Sequence, residues 1–145
     1  MNPAVLRIGS LEILGALAAF GAVISRFRPG AVPQPRVREV TVGLTVQESP
    51  ARGGRRNATV TIGEGEQASI GRSSDAAVGI LDPEVSRSHA ALTLTKGVLY
   101  LADSGSSNGT FLNGKRVGPG GIEVFAGDVI DVGTTRITVN DLVSA

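Results

Sequence analysis

The sequence from residue 40 onward predicts an all-β domain in the form of a β-sandwich. Short β-branched runs recur at close spacing, and Gly, Pro, Asn, Asp and Ser fill the segments between them. No helical period appears after residue 40. The composition agrees, because 20 Gly and 7 Pro among 145 residues favour many turns over long helices.

Each strand is predicted from a run dominated by aliphatic and β-branched residues. In chain order the runs are VTVGLTV (40–46), ATVTI (58–62), ASI (68–70), AAVGIL (76–81), HAALTLT (89–95), VLYLA (98–102), TFL (110–112), DVIDV (128–132) and RITVN (136–140). Asn113-Gly114 predicts a two-residue hairpin because both residues accept positive φ. Lys115 and Arg116 are then interpreted as a solvated hairpin end. With 3% aromatic residues and no Trp, the core must be aliphatic.

Composition excludes several classes of function. There is no Cys and a single His, so disulfide scaffolds, thiolate chemistry and zinc sites are not expected, and neither is any cofactor. Residues 1–57 carry eight Arg and three Glu, whereas residues 58–145 carry six basic and ten acidic residues. The acidic main domain argues against nucleic-acid binding, which needs a broad cationic face.

The N-terminal residues 1–28 form an apolar segment that is predicted to be helical. Its run 13–24 has no charge, and Arg26 and Arg28 follow. These arginines favour a membrane anchor within residues 5–28, which places the chain on the cytoplasmic face. A helix docked on the domain and a cleaved signal sequence are the alternatives. Residues 29–39, with three Pro and two Arg, are predicted to be an extended linker, and the main domain spans residues 40–145.

Three familiar motifs fail on their context. Residues 105–109 match the G-x-S-x-G of hydrolases, residues 109–115 match G-x4-G-K, and residues 63–68 resemble a dinucleotide fingerprint. All three motifs require a following helix, and the sequence predicts strands and hairpins instead.

The segments that remain are polar loops ending or preceding three strands. They are Gly71-Arg72, the segment 85–90 (VSRSHA) and the segment 103–110 (DSGSSNGT). Guanidinium groups, hydroxyls and an Asn amide are the groups that bind a phosphate dianion and the adjoining peptide backbone. The loops therefore indicate a phosphate-recognition site.

In this order and spacing, the motifs resemble the forkhead-associated (FHA) domain. The motifs are Gly71-Arg72, Ser86-x-x-His89, Ser107-Asn108-Gly109-Thr110, Asn113-Gly114 and Gly127-Asp128. The resemblance covers about residues 40–141 and suggests a small bacterial membrane-anchored type. It implies a sandwich of about eleven strands that binds phosphothreonine peptides through loops at one end and performs no chemistry. The implied partners are phosphothreonine-containing proteins, such as a Ser/Thr kinase or its substrates.

The resemblance also implies the role of each site residue. Arg72 and Ser86 are the phosphate ligands, and Arg87 adds a basic contact. Ser107 helps to hold the phosphothreonine, and Asn108 binds the peptide backbone after it. Three further residues support the loops. They are Gly71, His89 and Gly109.

Two other functions remain open on the sequence. One is a hydrolase that uses Ser86, His89 and Asp103, and the other is a scaffold that binds partners independently of phosphate. By the resemblance, the loop 81–85 reads the residue three places after the phosphothreonine. Because Asp82 and Glu84 lie on that loop, we expect acidic ligand residues to be disfavoured there.

Overall fold

The computed structural model describes residues 36–145, which form eleven strands and one short 3-10 helix. The predicted apolar segment 1–28 and the linker up to residue 35 lie outside the described residues. The elements are β1 (Glu39–Gln47), the 3-10 helix (Pro50–Arg52), β2 (Arg55–Gly63), β3 (Gln67–Gly71), β4 (Val78–Gly79), β5 (Ala90–Thr95), β6 (Val98–Asp103), β7 (Thr110–Leu112), β8 (Lys115–Val117), β9 (Ile122–Glu123), β10 (Val129–Val132) and β11 (Thr135–Ser144). The predicted all-β sandwich is confirmed.

The strands form two sheets that enclose one core. The six-stranded sheet has the order β2-β1-β11-β10-β7-β8, and the five-stranded sheet has the order β4-β3-β5-β6-β9. The buried core cluster contains only Val, Leu, Ile and Ala, as the composition predicts. Alternation along β1 explains how it forms, because Val42, Leu44 and Val46 point inward and are fully buried. Each such side chain contributes about 1.5–3 kcal/mol on burial.

The two ends of the sandwich differ in length and polarity of their connections. The loop end carries the 3-10 helix, the turn 133–134 and the long segments 72–77, 80–89 and 104–109. The opposite end, here called the terminal end, carries short turns such as 96–97. At the terminal end the Arg38 N–H donates to the Ala145 carbonyl (2.9 Å), and the Ala145 N–H donates to the Glu39 carbonyl (3.0 Å).

Asn113-Gly114 forms the predicted hairpin, with φ of 50° and 83°. Lys115 and Arg116 are exposed, as predicted for a solvated hairpin end, and they form the second strand of the hairpin, β8, where they pair with Leu112 and Phe111. β9 was not predicted, because its two exposed residues give no alternation to detect. The run 76–81 forms only the two-residue β4, which pairs in parallel with β3.

Strand β1 begins at Glu39, one residue before the predicted domain boundary. Val37 is half-buried and packs on the core beside Gly97, so the last residues of the predicted linker contact the domain. Within residues 36–145, no helix is long and apolar enough to cross a membrane.

Candidate functional site

The five residues expected to bind phosphopeptide line one shallow depression at the loop end. It has a volume of about 300 Å³. Pro83, Glu84 and Val85 complete its wall. The five residues are Arg72, Ser86, Arg87, Ser107 and Asn108. Because they come from three separate loops, the sandwich topology brings them together.

Arg72 lies at the end of β3, where its backbone and its side chain both bind the loop before β5. Its N–H donates to the Ser86 carbonyl (3.0 Å), and its Nε–H donates to the Val85 carbonyl (3.1 Å). The guanidinium is thereby oriented, while among residues 36–145 no carboxylate forms an ion pair with it. Its terminal N–H groups are therefore available to an anion.

Gly71 is required by the close approach of β3 to this loop. A Cβ atom at this position would lie 2.1 Å from the Arg87 carbonyl oxygen. That carbonyl accepts the Ser73 N–H (3.1 Å), which holds the loop against the strand end. The contact leaves the exposed Arg87 side chain pointing away from the core.

His89 is fully buried and connects two of the loops. Its Nδ1 accepts the Ser86 N–H (3.0 Å), so the proton of the neutral ring lies on Nε2, which donates to the Gly109 carbonyl (2.8 Å). Gly109 adopts φ of 85°, a conformation that favours glycine. The histidine thus braces Ser86 and Gly109 at a fixed separation.

The hydroxyl of Ser86 and the amide of Asn108 complete the depression. Ser86 Oγ accepts the Ser107 N–H (3.2 Å), which leaves the hydroxyl proton free to donate to a ligand. Asn108 Nδ2 donates to the Glu84 carbonyl (2.7 Å), which orients the amide and leaves its Oδ1 as an acceptor. Both side chains are therefore positioned before any ligand arrives.

Asp103 organises the loop 104–109 from below. Its carboxylate accepts the Gly105 and Ser106 N–H groups, both at 3.0 Å, and the Thr110 hydroxyl at 2.7 Å. Partial burial raises the pKa of Asp103, but the hydrogen bonds from Ser106 and Thr110 outweigh this effect, so its pKa lies below the ordinary 3.8. Asp103 is an anionic anchor for the loop.

This geometry does not assemble the hydrolase alternative. Both ring nitrogens of His89 bind backbone groups, so neither is directed at the Ser86 hydroxyl or the Asp103 carboxylate. A triad needs the base to hydrogen-bond the nucleophile and the acid to orient the base. Here the three residues make separate structural contacts.

Asp82 does not face the depression, so its expected influence on ligand charge is wrong. The residue is fully buried. Its Oδ1 accepts from Arg52 Nη1 (3.0 Å) and the Glu84 N–H (3.0 Å). Its Oδ2 accepts from the Thr134 N–H (2.8 Å), the Thr134 hydroxyl (2.6 Å) and the Thr135 hydroxyl (3.0 Å).

The contacts of Asp82 join three connections at the loop end. Burial raises its pKa, but hydrogen bonds from Thr134 and the Glu84 N–H outweigh burial and lower the pKa to about 2. Sequence reasoning missed this anchor and its partners Arg52 and Thr134. The one local signal was the Asp82-x-Glu84 spacing, which permits a side-chain turn between the Asp82 carboxylate and the Glu84 N–H.

The fold and the polar loop site define a β-sandwich recognition domain, and comparison with known proteins identifies its family. The family model described as the FHA domain matches residues 68–133. The chain is 32% identical over 137 residues to the FHA domain-containing protein FhaB of Mycolicibacterium smegmatis, covering 92% of this chain and 83% of that protein. The chain belongs to the FHA domain family.

Solved structures agree with this assignment. One FHA domain, from work on phosphothreonine-dependent FHA domain interactions, is 33% identical with a TM-score of 0.54, covering 68% of this chain and 96% of that one. The FhaA FHA domain, complexed with the intracellular domain of Rv3910, is 34% identical with a TM-score of 0.53, covering 67% of this chain and 99% of that one.

A shorter sequence match is found in a yeast protein. Vacuolar protein sorting-associated protein 64 of Saccharomyces cerevisiae is 44% identical over 52 residues, which are 34% of this chain and 9% of that protein.

Proposed function

We propose that this chain is a phosphothreonine-peptide-binding module that acts as an adaptor in Ser/Thr kinase signalling. The observation that carries the proposal is the convergence of Arg72, Ser86, Arg87, Ser107 and Asn108 on one depression. Its partners are proteins phosphorylated on threonine, among them a Ser/Thr kinase or its substrates. The FHA domain relative studied for phosphothreonine-dependent interactions supports the same ligand class.

The electrostatics of the depression favour a phosphate dianion. Two guanidinium groups, from Arg72 and Arg87, line the depression, and the Ser86 hydroxyl adds a donor. A phosphoryl group carries roughly −1.5 to −2 charges at neutral pH, so it gains more from this pair than a single carboxylate does. Residues 58–145 as a whole carry ten acidic and six basic side chains, so the two arginines are a local concentration of positive charge in a net acidic segment.

Calorimetry on the full chain in mild detergent tests this function. Its ligands are one peptide carrying phosphothreonine, the same peptide with phosphoserine, and the unphosphorylated peptide. Arg72→Ala removes a charge-assisted hydrogen bond that typically contributes about 1.5–3 kcal/mol, so we expect affinity to fall roughly ten- to a hundredfold. Arg38→Ala is the matched control, because Arg38 is exposed at the terminal end.

Equal affinity for the phosphorylated and unphosphorylated peptides would contradict the proposal and favour the phosphate-independent scaffold. Loss of binding in Arg72→Ala together with a lowered melting temperature would indicate damage to the fold. The Ser86→Ala variant resolves that case, since it removes one hydroxyl from a half-buried position and should weaken binding while the domain remains folded.

We further propose that residues 1–28 hold this module at the cytoplasmic face of a membrane. The uncharged run 13–24 and the arginines that follow it support the proposal. The full chain should therefore sediment with membranes and resist carbonate and high-salt washes, whereas residues 29–145 should remain in solution. Release of the full chain by high salt alone would indicate surface attraction, and a fully soluble chain would favour the docked-helix alternative.

A further inference from the structure

Arg116 on β8 lies beside the loop that carries Asn108. It faces Phe111 across the β7–β8 pair. A Cβ atom on Gly109 would lie 3.4 Å from Arg116 Nε, from Arg116 Cζ and from a ring carbon of Phe111. The guanidinium and the ring therefore lie side by side over Gly109, which is buried beneath them.

The Arg116 guanidinium is exposed and available to a ligand. Among residues 36–145, the arginines in ion pairs are Arg52, Arg56 and Arg136, and Arg116 is not one of them. Arg136 shows the contrast, since its guanidinium binds the Asp131 carboxylate at 2.8 Å. Arg116 is instead steadied by its cross-strand aromatic neighbour, an arrangement that leaves its N–H donors open.

The position of Arg116 relative to Asn108 connects it to the proposed ligand. Asn108 Nδ2 binds the Glu84 carbonyl, while Arg116 covers Gly109, the next residue in the chain. Because Gly109 follows Asn108 directly, a peptide bound at Asn108 would lie close to the Arg116 guanidinium. Arg116 does not line the depression around Arg72 and Ser86, so its contact is separate from the phosphate.

We propose that Arg116 is a specificity-determining residue that binds a carboxylate side chain flanking the phosphothreonine of the ligand. The inference rests on the proposed phosphothreonine binding and adds a second, acidic determinant to it. A guanidinium pairs with a carboxylate through two parallel N–H···O bonds, which gives selectivity for Asp or Glu over Gln. For an exposed pair, the expected gain in affinity is about two- to fivefold.

The test uses the full chain in mild detergent and phosphothreonine peptides in which each flanking position carries Gln or Glu in turn. Affinities are measured by fluorescence anisotropy for the native chain, Arg116→Gln and Lys115→Gln. Lys115 is the matched control, because it is an exposed cation on the same strand whose side chain points to the opposite face. We expect one flanking position at which Glu tightens binding to the native chain and to Lys115→Gln but not to Arg116→Gln.

Two outcomes would overturn this inference while leaving phosphothreonine binding intact. One is the absence of any position with an Arg116-dependent preference for Glu. The other is an equal loss of affinity for Gln and Glu peptides in Arg116→Gln, which would indicate general attraction to the phosphate. Failure of the native chain to distinguish phosphorylated from unphosphorylated peptide would instead refute the proposed function, and this inference with it. Arg116→Lys is a second variant that keeps the charge, and it should retain part of the preference for Glu over Gln. If it does, loss of the preference in Arg116→Gln is due to the lost charge and not to altered packing.

Discussion

At both ends of the sandwich a carboxylate holds the connecting segments by hydrogen bonds, but the carboxylate at the loop end is buried and the one at the terminal end is exposed. At the loop end, the fully buried Asp82 accepts five hydrogen bonds from three connections. At the terminal end, the exposed Glu64 accepts the Lys96 N–H (2.5 Å) and the Gly97 N–H (3.0 Å) of one hairpin. The same chemistry therefore serves interior bracing at one end and a surface turn at the other.

The difference reflects what each connection needs. The turn at Lys96-Gly97 is short, and its positive φ angles already define its geometry. The longer loop 80–89 has no residue with positive φ, and its shape depends chiefly on the buried side chains of Asp82 and His89. Because those contacts point inward, Arg72 and Ser86 can be fixed without using the groups that face the ligand, and binding then requires less ordering of side chains.

Removing each carboxylate in turn should reveal the largest difference between the two ends, which is a difference in the free energy of unfolding that is lost. Asp82→Ala leaves the Thr135 hydroxyl and the Thr134 N–H without their acceptor, and unsatisfied buried groups cost about 1–3 kcal/mol each. We expect the free energy of unfolding to fall by about 2–4 kcal/mol for Asp82→Ala and by less than about 1 kcal/mol for Glu64→Ala. Urea denaturation measures both. Equal losses at the two ends would contradict the comparison.

Acid should weaken the loop end through the same residue. The pKa of Asp82 is lowered from 3.8 to about 2 in the folded chain, so its ionised form contributes about 2.5 kcal/mol to stability at neutral pH. That contribution is present above the unfolded pKa and is lost as the pH falls through about 2. Asp103 has a lowered pKa and acts in the same direction.

The control for this pH effect is Asp82→Asn, which cannot ionise. Denaturation curves between about pH 6 and pH 2 give the free energy of unfolding of both proteins. The native chain should be more stable than Asp82→Asn at pH 6, and this difference should shrink as the pH falls. A constant difference between the two proteins across that range would show that the Asp82 charge does not contribute.

The smallest expected effect concerns Glu84, the one carboxylate of the loop 81–85 that lines the depression. We expect it to disfavour an acidic residue three places after the phosphothreonine by about 0.5–1 kcal/mol, the size of an exposed charge pair. Glu84→Arg should shift the preference toward acid in a peptide library. Enrichment of Asp at that ligand position by the native chain would refute this expectation and leave the bracing by Asp82 unaffected.

Sequence patterns predicted the fold where local alternation reports the buried face. β1 and β6 were located within one residue because aliphatic side chains at alternate positions point inward, such as Val42 and Leu44 in β1 and Leu99 and Leu101 in β6. Pairs as short as β4 and β9 could not be predicted in this way, since two residues carry no period and their pairing depends on the neighbouring strand.

The candidate site likewise contains residues that local motifs predicted and residues that they could not predict. Motifs close in sequence, such as Ser86-x-x-His89, identified the loops through the family resemblance. The role of Asp82 depends on its hydrogen bonds with Thr134, which is 52 residues away in the chain, so a local pattern could not predict that role in full. Arg116 is exposed as predicted, but its closeness to Gly109 could not be predicted, because it exists only once β7 and β8 are paired.

The pairing of β1 with β11 separates the two ends of the described chain from the loops that carry the candidate site. Arg38 and Ala145 meet at the terminal end, so both ends of the described chain lie opposite the loops that carry Arg72 and Ser86. The strand Glu39–Gln47 has nine residues, and at about 3.3 Å per residue it places the loop end about 27 Å farther out. Both ends of the described chain therefore lie a full strand length away from the depression that we propose binds phosphopeptide, and they leave the approach to it open.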